Sequence, residues 1–414
     1  MLRFGVVVIL MNLNLEEVEF LSSTGVQGVQ SLTRQGPLNP FDDSIIEYLD
    51  QLSMIIRNDP RIRDFPDVAT FSFFCRRGNL IKEKKAYADS ARHLRKGRGL
   101  VFHICPSNVP VNFAFSFVAG LLAGNSNLVR VPSRSFDQVK IILDAVNKLR
   151  EDNKYIEIDR RVAFVRYDKN STATKEFSQC CDARVIWGGD NTIREVRKHP
   201  IKSRSIDVCF ADRVSICIID ASCFLNFPNK EKIINGFYND SYLFDQNACT
   251  APKLIIWRGT PTEIKKAQDY FWGELYILVE KRYEISGVMS VTKLCSLYEE
   301  FIRNKNIVSY VNNQNYIYRN QLRDLEINLD SFNLRYGHFF EFYGNLSDII
   351  RIDSKKLQTL SYFGIKYDEL LSFIDKNSLL GIDRIVPIGS TLDFSLTWDG
   401  YDLICTLSRN IEIL

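Results

Sequence analysis

Residues 100–149, LVFHICPSNVPVNFAFSFVAGLLAGNSNLVRVPSRSFDQVKIILDAVNKL, carry the pattern that decides the fold. Leu100 to Ile104 is a short apolar run of the length a buried strand needs. A helix from Val111 to Ala123 follows and is stopped by Gly124; then come a second strand, Asn127 to Val131, and a helix from Phe136 to Leu149. That last helix sets Val139, Ile142, Val146 and Leu149 three and four residues apart, the spacing of a face lying on a sheet. Ser135 and Gln138 form a capping-box pattern at its head.

The alternation continues outward. Arg161 to Val165 and Arg184 to Trp187 read as strands, with helices near Thr174 and from Asp190. Strands Ile206 to Phe210 and Ser215 to Ile219 are expected to close a first unit. A second starts near Cys223 and contains the strand Lys253 to Trp257, then a helix announced by Thr260, Pro261 and Glu263. Strands alternating with helices predict βαβ units, so the fold class is α/β: two parallel-sheet lobes, one Rossmann-like and one catalytic. The expected division is 1–222 (N-terminal extension and nucleotide lobe), 223–385 (catalytic lobe) and 386–414, which packs back or assists oligomerisation. The first 90 residues are expected to pack around the nucleotide lobe.

Composition narrows the function. With 45% hydrophobic and 25% charged residues the 414-residue chain has enough apolar surface to fold, and its length exceeds what one core serves. Fifty-three Lys+Arg against 50 Asp+Glu leave a net +3, too little for a global field that draws in nucleic acid or an anionic membrane. Ten cysteines stand without a C-x-x-C pair and only four histidines accompany them, which argues against structural zinc. Cys209 and Cys217 in apolar runs read as buried free thiols, pointing to a reducing, cytoplasmic setting. The apolar start FGVVVILM is too short to span a bilayer and reads as a strand, or as residues ahead of a true start at Met11; Val109 to Gly124 reads as a buried helix rather than a membrane span.

Three loops can carry chemistry. In CPSNVP, Cys105 to Pro110, Asn108 either aims a neutral amide donor at a developing oxyanion or closes an Asx turn. His103 before it reads as a packed strand residue. Gly188 and Gly189 follow the strand RVIW and open a helix, as a phosphate-approaching turn or a plain tight turn. Arg130, with Ser133 beyond it, either reaches an adenosine ribose or its 2′-phosphate or is a solvated strand-end charge. In FDQNACTAP, Phe244 to Pro252, Cys249 is the nucleophile candidate, because Asp245, Gln246, Asn247 and Thr250 give it the polar surroundings a reactive thiol needs. The basic stretch Lys82 to Arg98 reads as a solvated helix face rather than a site for coenzyme A phosphates.

Together the loops resemble the aldehyde dehydrogenase superfamily, and within it the long-chain acyl-CoA reductases of bacterial bioluminescence, from about Gly97 to the C-terminus. The resemblance assigns Asn108 in PSNVP as oxyanion donor, Arg130 in GNSNLVRVPS as adenosine-ribose contact where Lys is usual, Gly188-Gly189 as the turn facing the dinucleotide, and Gln246 with Cys249 as the nucleophile segment. It places Glu341 of Glu341–Gly344 on the nicotinamide ribose, with Tyr343 in place of Phe, and the tail DRIVPIGSTLDFSLTWDGYDLICTLSR from Asp383 is similar to the end of acyl-CoA reductases. Where hydrolytic relatives carry E-L-G-G-K with a glutamate base, this chain has Phe210-Ala211-Asp212-Arg213-Val214-Ser215. Without that base water is the poorer competitor, which favours thioester chemistry. The implied activity is NADPH-dependent reduction of a fatty acyl-CoA to the aldehyde through a Cys249 thioester, with NADH as the other cofactor choice and no metal. The alternatives are aldehyde oxidation with Asp212 as base, or a non-catalytic acyl-binding partner. The resemblance further implies a homo-oligomer and an acyl-activating or acyl-transferring enzyme as partner.

Overall fold

The computed structural model describes residues 17–22, 25–90, 94–106, 109–329, 332 and 334–413. Asn108 and the FGVVVILM start fall outside the described residues. The chain forms two units: residues up to Ala211 together with those from Phe394 onward, and Asp212–Asp393.

In the first unit, strand β1 (Val18–Phe20) and helices α1 (Val26–Arg34), α2 (Asp43–Arg57), α3 (Pro66–Phe74) and α4 (Arg77–Ser90) precede strand β2 (Leu94–Gly97). The alternating series then runs β3 (Leu100–Ile104), α5 (Asn112–Leu122), β4 (Ser126–Arg130), α6 (Asp137–Arg150), β5 (Val162–Tyr167), α7 (Ala173–Cys180), β6 (Ala183–Trp187), α8 (Asp190–Arg197) and β7 (Ile206–Phe210). The six strands lie in the order β1-β5-β4-β3-β6-β7, and only β1 is antiparallel to its neighbour. Every residue of β3 is buried, as a central strand covered on both faces requires. The N-terminal helices cover one of those faces: Ile45, Leu49, Leu52 and Ile56 of α2 share a core with Phe113 and Phe117 of α5. Each such side chain contributes roughly 1.5–3 kcal/mol on burial. Gly124 ends α5 at φ +86, where a Cβ would lie 2.3 Å from the Leu38 carbonyl oxygen.

The capping box expected at Ser135 does not form. Helix α6 is preceded by an extended Phe136 with no side-chain cap, and the Gln138 amide turns to Asp67 Oδ2 at 3.5 Å. A contact with α3 has displaced the local one.

The second unit contains β8 (Val214–Asp220), α9 (Ala221–Asn226), α10 (Lys230–Tyr242), β9 (Pro252–Arg258), α11 (Pro261–Arg282), α12 (Gly287–Arg303), β10 (Ile307–Asn313), β11 (Ile317–Leu322), β12 (His338–Tyr343), β13 (Leu357–Phe363), α13 (Tyr367–Lys376) and β14 (Arg384–Pro387). Its sheet runs β10-β11-β12-β9-β8-β13-β14, parallel except for the edge strand β10. The capping box of Thr260 and Glu263 is present at the head of α11.

Ser215 to Ile219, expected to close the first unit, lies instead inside this second sheet, flanked by β9 and β13, so the second unit starts at Asp212 and not near Cys223. The Arg213 guanidinium makes the change of direction, binding Asp383 and the carbonyls of Leu357 and Gly381 within the second unit. The return to the first unit comes at Phe394, later than residue 386. The Phe394 ring stacks on Phe115 at 4.4 Å, Leu403, Ile404 and Leu407 enter the same core, and β15 (Ser408–Ile411) pairs antiparallel with β2.

No helix among the described residues is long and apolar enough to cross a membrane.

Candidate active site

Cys249 lies on the segment joining α10 to β9, three residues ahead of the strand. The segment begins in the left-handed region, Asp245 at φ 55 and Gln246 at φ 59. Such backbone costs of order 1–3 kcal/mol per non-glycine residue and persists only where its surroundings over-determine it. Those surroundings are on hand. The fully buried Gln246 carboxamide donates to the carbonyls of Pro252 and His338, both at 3.0 Å, and accepts from the N–H groups of Gly337 and His338, both at 3.1 Å. The Tyr283 hydroxyl donates to Asp245 Oδ1 at 2.7 Å. Lys253 Nζ binds back to the Gln246 carbonyl and to that of Leu334, the latter at 2.5 Å. Gln246, read from the sequence as part of a reactive segment, is thus the bolt of the loop.

The half-buried Cys249 sulfur accepts from the Gln358 amide, Nε2 to Sγ 3.4 Å. The Cys249 carbonyl accepts from the Ser215 hydroxyl at 2.6 Å, and that oxygen in turn accepts the Thr359 N–H at 3.2 Å. Ladder irregularities explain how these side chains meet. Leu357 and Leu360 stand opposite Val214 and Ile216, which puts one extra residue into β13 at Gln358–Thr359; Pro252 and Leu254 stand opposite Ser215 and Ile216, which does the same to β9 at Lys253. Such bulges re-aim side chains. The cluster therefore forms at the amino ends of β8, β9 and β13, the opposite edge from the carboxyl ends where ligands of open α/β sheets usually sit.

Burial pushes the Lys253 ammonium down to about 7; Arg335 adds to the shift and Cys249 opposes it. A neutral amine keeps enough N–H groups to serve both carbonyls. Because the folded value is depressed below the ordinary one, the unfolded chain binds more protons above pH 7 and stability rises with pH there. The rise is expected between pH 7 and 8.5, before the raised thiols of buried Cys75, Cys105 and Cys217 begin to act in the opposite sense. Urea midpoints at the two pH values check it: Lys253→Met is expected to lessen the rise while the buried Lys293, also pushed down, keeps its share, and equal slopes in both proteins would contradict the assignment.

Glu341 is engaged by side chains of its own unit. Its carboxylate is buried on β12, where Oε1 accepts the indole N–H groups of Trp257 (2.7 Å) and Trp272 (2.8 Å) and the amide of Gln268 (2.8 Å), and Oε2 faces Arg319 at 3.4 Å. The carboxylate acts as an internal anchor through Oε1, and the ribose contact implied by the E-x-F-G resemblance falls to Oε2. Glu341→Ala strands the buried Arg319 charge and three donors, with an expected cost of about 3–5 kcal/mol. A lowered urea midpoint is predicted, and an unchanged midpoint with a raised nicotinamide KM would favour the ribose role over the anchor.

In the first unit the strand order β5-β4-β3-β6-β7 reverses direction between β3 and β6, the switch point where a dinucleotide crevice forms outside the carboxyl ends. The Gly188-Gly189 turn follows β6 there. Gly188 spends its N–H on the Phe210 carbonyl at 3.2 Å, and Gly189 is the cap residue of α8 with no side-chain cap. The turn is held from below: Trp187 stacks on Phe210, ring centroids 3.7 Å apart, and donates Nε1–H to Ser116 Oγ at 3.0 Å. Ser116 also meets His103 Nδ1 at 2.7 Å, while His103 Nε2 meets Asn127 Oδ1 at 2.9 Å. Burial pushes His103 down to about 4, so it is a neutral, packed strand residue. Arg130, at the end of β4, donates Nη2 to Ser133 Oγ (3.3 Å) and to the Tyr167 carbonyl (3.2 Å), and its buried Nε has no hydrogen-bond partner. A partly exposed guanidinium at the carboxyl end of a parallel strand fits a phosphorylated or ribose-bearing ligand.

Gln358, Ser215 and Lys253 are the site residues that sequence reasoning missed. The one available signal was Lys253, a cation heading the apolar run LIIW. Among the described residues no group of three or more His, Cys, Asp or Glu is placed to hold a metal.

The sequence matches the family profile described as Acyl-CoA reductase (LuxC) over residues 81–410. It is 24% identical over 299 residues to a long-chain acyl-protein thioester reductase of Vibrio harveyi, covering 70% of this chain and 59% of that protein. A reductase of the same description from Photorhabdus laumondii is 22% identical over 298 residues, covering 70% and 58%. The match therefore spans under two thirds of the length of these curated relatives. Among solved structures, the salicylaldehyde dehydrogenase of Pseudomonas putida G7 superposes with a TM-score of 0.62 at 11% identity, over 98% of this chain and 89% of that one. The fold is aldehyde dehydrogenase-like, and with four fifths of its length inside the profile the chain belongs to the Acyl-CoA reductase (LuxC) family.

Proposed function

We propose that the protein reduces a fatty acyl thioester to the aldehyde with a nicotinamide dinucleotide, carrying the acyl group on Cys249. The observation that supports this reading is the nucleophile loop: a half-buried thiol with an amide donor at its sulfur, on a strained backbone bolted by Gln246 and Lys253. In this reading Cys249 Sγ attacks the thioester carbonyl, the incoming carrier leaves as a thiol, and the acyl group stays on the enzyme. The dinucleotide, when bound, supplies the hydride that takes the acyl group to the aldehyde level. The Cys249 sulfur then leaves and is ready again. Asn108 and the Cys249 N–H as oxyanion donors, Arg130 and Ser133 at the adenosine ribose, and the Gly188-Gly189 turn at the dinucleotide belong to the same proposal, as does NADPH in preference to NADH.

The carrier is the finer question. Acyl-CoA is the expectation from the sequence, whereas the curated relatives are described as acting on acyl-protein thioesters. One experiment addresses both: the protein is incubated without nicotinamide with palmitoyl-CoA or with a palmitoylated carrier-protein thioester, and its mass is measured intact and after proteolysis. A thioester-labile acyl mass on the Cys249 peptide, lost on adding NADPH with appearance of the aldehyde, is the expected result. Acylation from one donor alone names the carrier; an acyl mass spread over several cysteines, or none at all, would overturn the reading.

A further inference from the structure

Nothing in the sequence marks Gln358, yet its side chain touches the nucleophile. It is 2% exposed and held on the bulge of β13, with Nε2 3.4 Å from Cys249 Sγ and Oε1 3.5 Å from the hydroxyl of Ser215. Ser215 is the last residue of the segment Phe210–Ser215, which the aldehyde dehydrogenase resemblance sets opposite the glutamate base of hydrolytic members. Its hydroxyl is tied to the Cys249 carbonyl and its oxygen to the Thr359 N–H, so β8 and the bulge of β13 together hold the amide beside the sulfur.

We propose that Gln358, by setting a neutral carboxamide donor against the Cys249 sulfur, supports that sulfur as attacking and leaving thiolate while denying water a base, so that the acyl-enzyme waits for hydride. This rests on the reading of Cys249 as acyl carrier and deepens it. The chemistry is that of the amide group. An N–H donor stabilises charge on sulfur, both in the attack on a thioester and in the departure that frees the aldehyde. An amide has no basic lone pair at neutral pH, so Gln358 takes no proton from a water molecule beside the acyl group. A carboxylate of the same shape would reverse both effects. It would oppose the thiolate, and it would take a proton from water as the water oxygen bonds to the acyl carbon. The C–S bond would then break, the fatty acid would leave, and the proton would pass from the carboxyl group to the thiolate.

The test uses the full chain acylated with palmitoyl-CoA or a palmitoyl carrier-protein thioester in the absence of nicotinamide, so that no hydride step enters the readout. Intact mass follows how fast Cys249 is acylated at pH 6 to 9 and how long the acyl-enzyme survives; mass spectrometry of the small molecules identifies the product. For Gln358→Glu, acyl-enzyme lifetime is expected to fall at least tenfold with free fatty acid released, faster as the carboxylate ionises. For Gln358→Leu, acylation is expected to slow tenfold or more, the scale of one hydrogen bond to a charged group, and its pH profile to move upward while the lifetime stays as in the wild type. If the Glu variant does not fold, as judged by its circular dichroism melt, the rate and pH profile of the Leu variant decide alone. Wild-type acylation kinetics in Gln358→Leu, or a wild-type lifetime in folded Gln358→Glu, would overturn the proposal. A wild-type protein that is never acylated at Cys249 would instead overturn the acyl-carrier reading beneath it.

Discussion

Cys249→Ala is expected to reduce acyl thioester turnover by on the order of 10⁴-fold or more, the scale seen when a covalent nucleophile is removed from an enzyme that keeps its binding groups. The loss should fall on kcat and on kcat/KM alike, because the missing bond belongs to the reaction path and not to ground-state binding. Stability should barely move. The residue is half-buried, and the bonds that hold its loop are made by Gln246, Lys253 and Ser215 and by the Cys249 carbonyl, which alanine retains. Steady-state aldehyde formation beside a urea melt separates the two readouts; a folded alanine variant that keeps even a tenth of the wild-type rate would place the nucleophile elsewhere.

Gln246→Ala makes the converse prediction. The substitution removes a fully buried carboxamide that joins two carbonyls and two N–H groups of Pro252, Gly337 and His338. Those backbone groups stay behind without water or replacement. Several lost bonds and orphaned partners, at about 1 kcal/mol or more each, add up to about 3–4 kcal/mol of destabilisation. Gln246→Glu should fare little better, since its second oxygen would face the Pro252 and His338 carbonyls that now receive N–H groups. Activity is expected to fall about 10²-fold even in the folded fraction, as the thiol drifts from its place once nothing holds Asp245 and Gln246 at positive φ. A Gln246→Ala protein with a wild-type urea midpoint would show that the loop is held by other bonds.

Periodicity made the first lobe legible. The run from Leu100 to Leu149 and its continuation to Phe210 announced the strands and helices found there, because each is a local pattern of apolar residues on one face. The same reasoning misplaced Ser215 to Ile219. An all-apolar strand carries no information about which sheet will take it, and the deciding contact, Arg213 with Asp383, joins residues far apart in the chain. Cys249 was visible because its neighbours are polar. Gln358 was not, since its approach to the sulfur depends on a one-residue bulge in β13, and bulges leave no trace in composition or spacing. Glu341 was named from a motif, while the two tryptophans on separate elements that bind its Oε1 left no mark in the sequence.

The second unit is an insertion. The chain leaves the first unit after Ala211 and re-enters it at Phe394, and the returning piece brings the ring that stacks on Phe115 and the strand that pairs with β2. On a ribosome the order of completion is therefore inverted. The unit synthesised second is contiguous and can close as soon as its last strand emerges, whereas the one begun first must wait with the stacking face of Phe115 and the edge of β2 uncovered. Until the stretch from Phe394 to Ile411 is translated, the nascent chain presents the core surface that Leu403, Ile404 and Leu407 cover to whatever chaperone meets it.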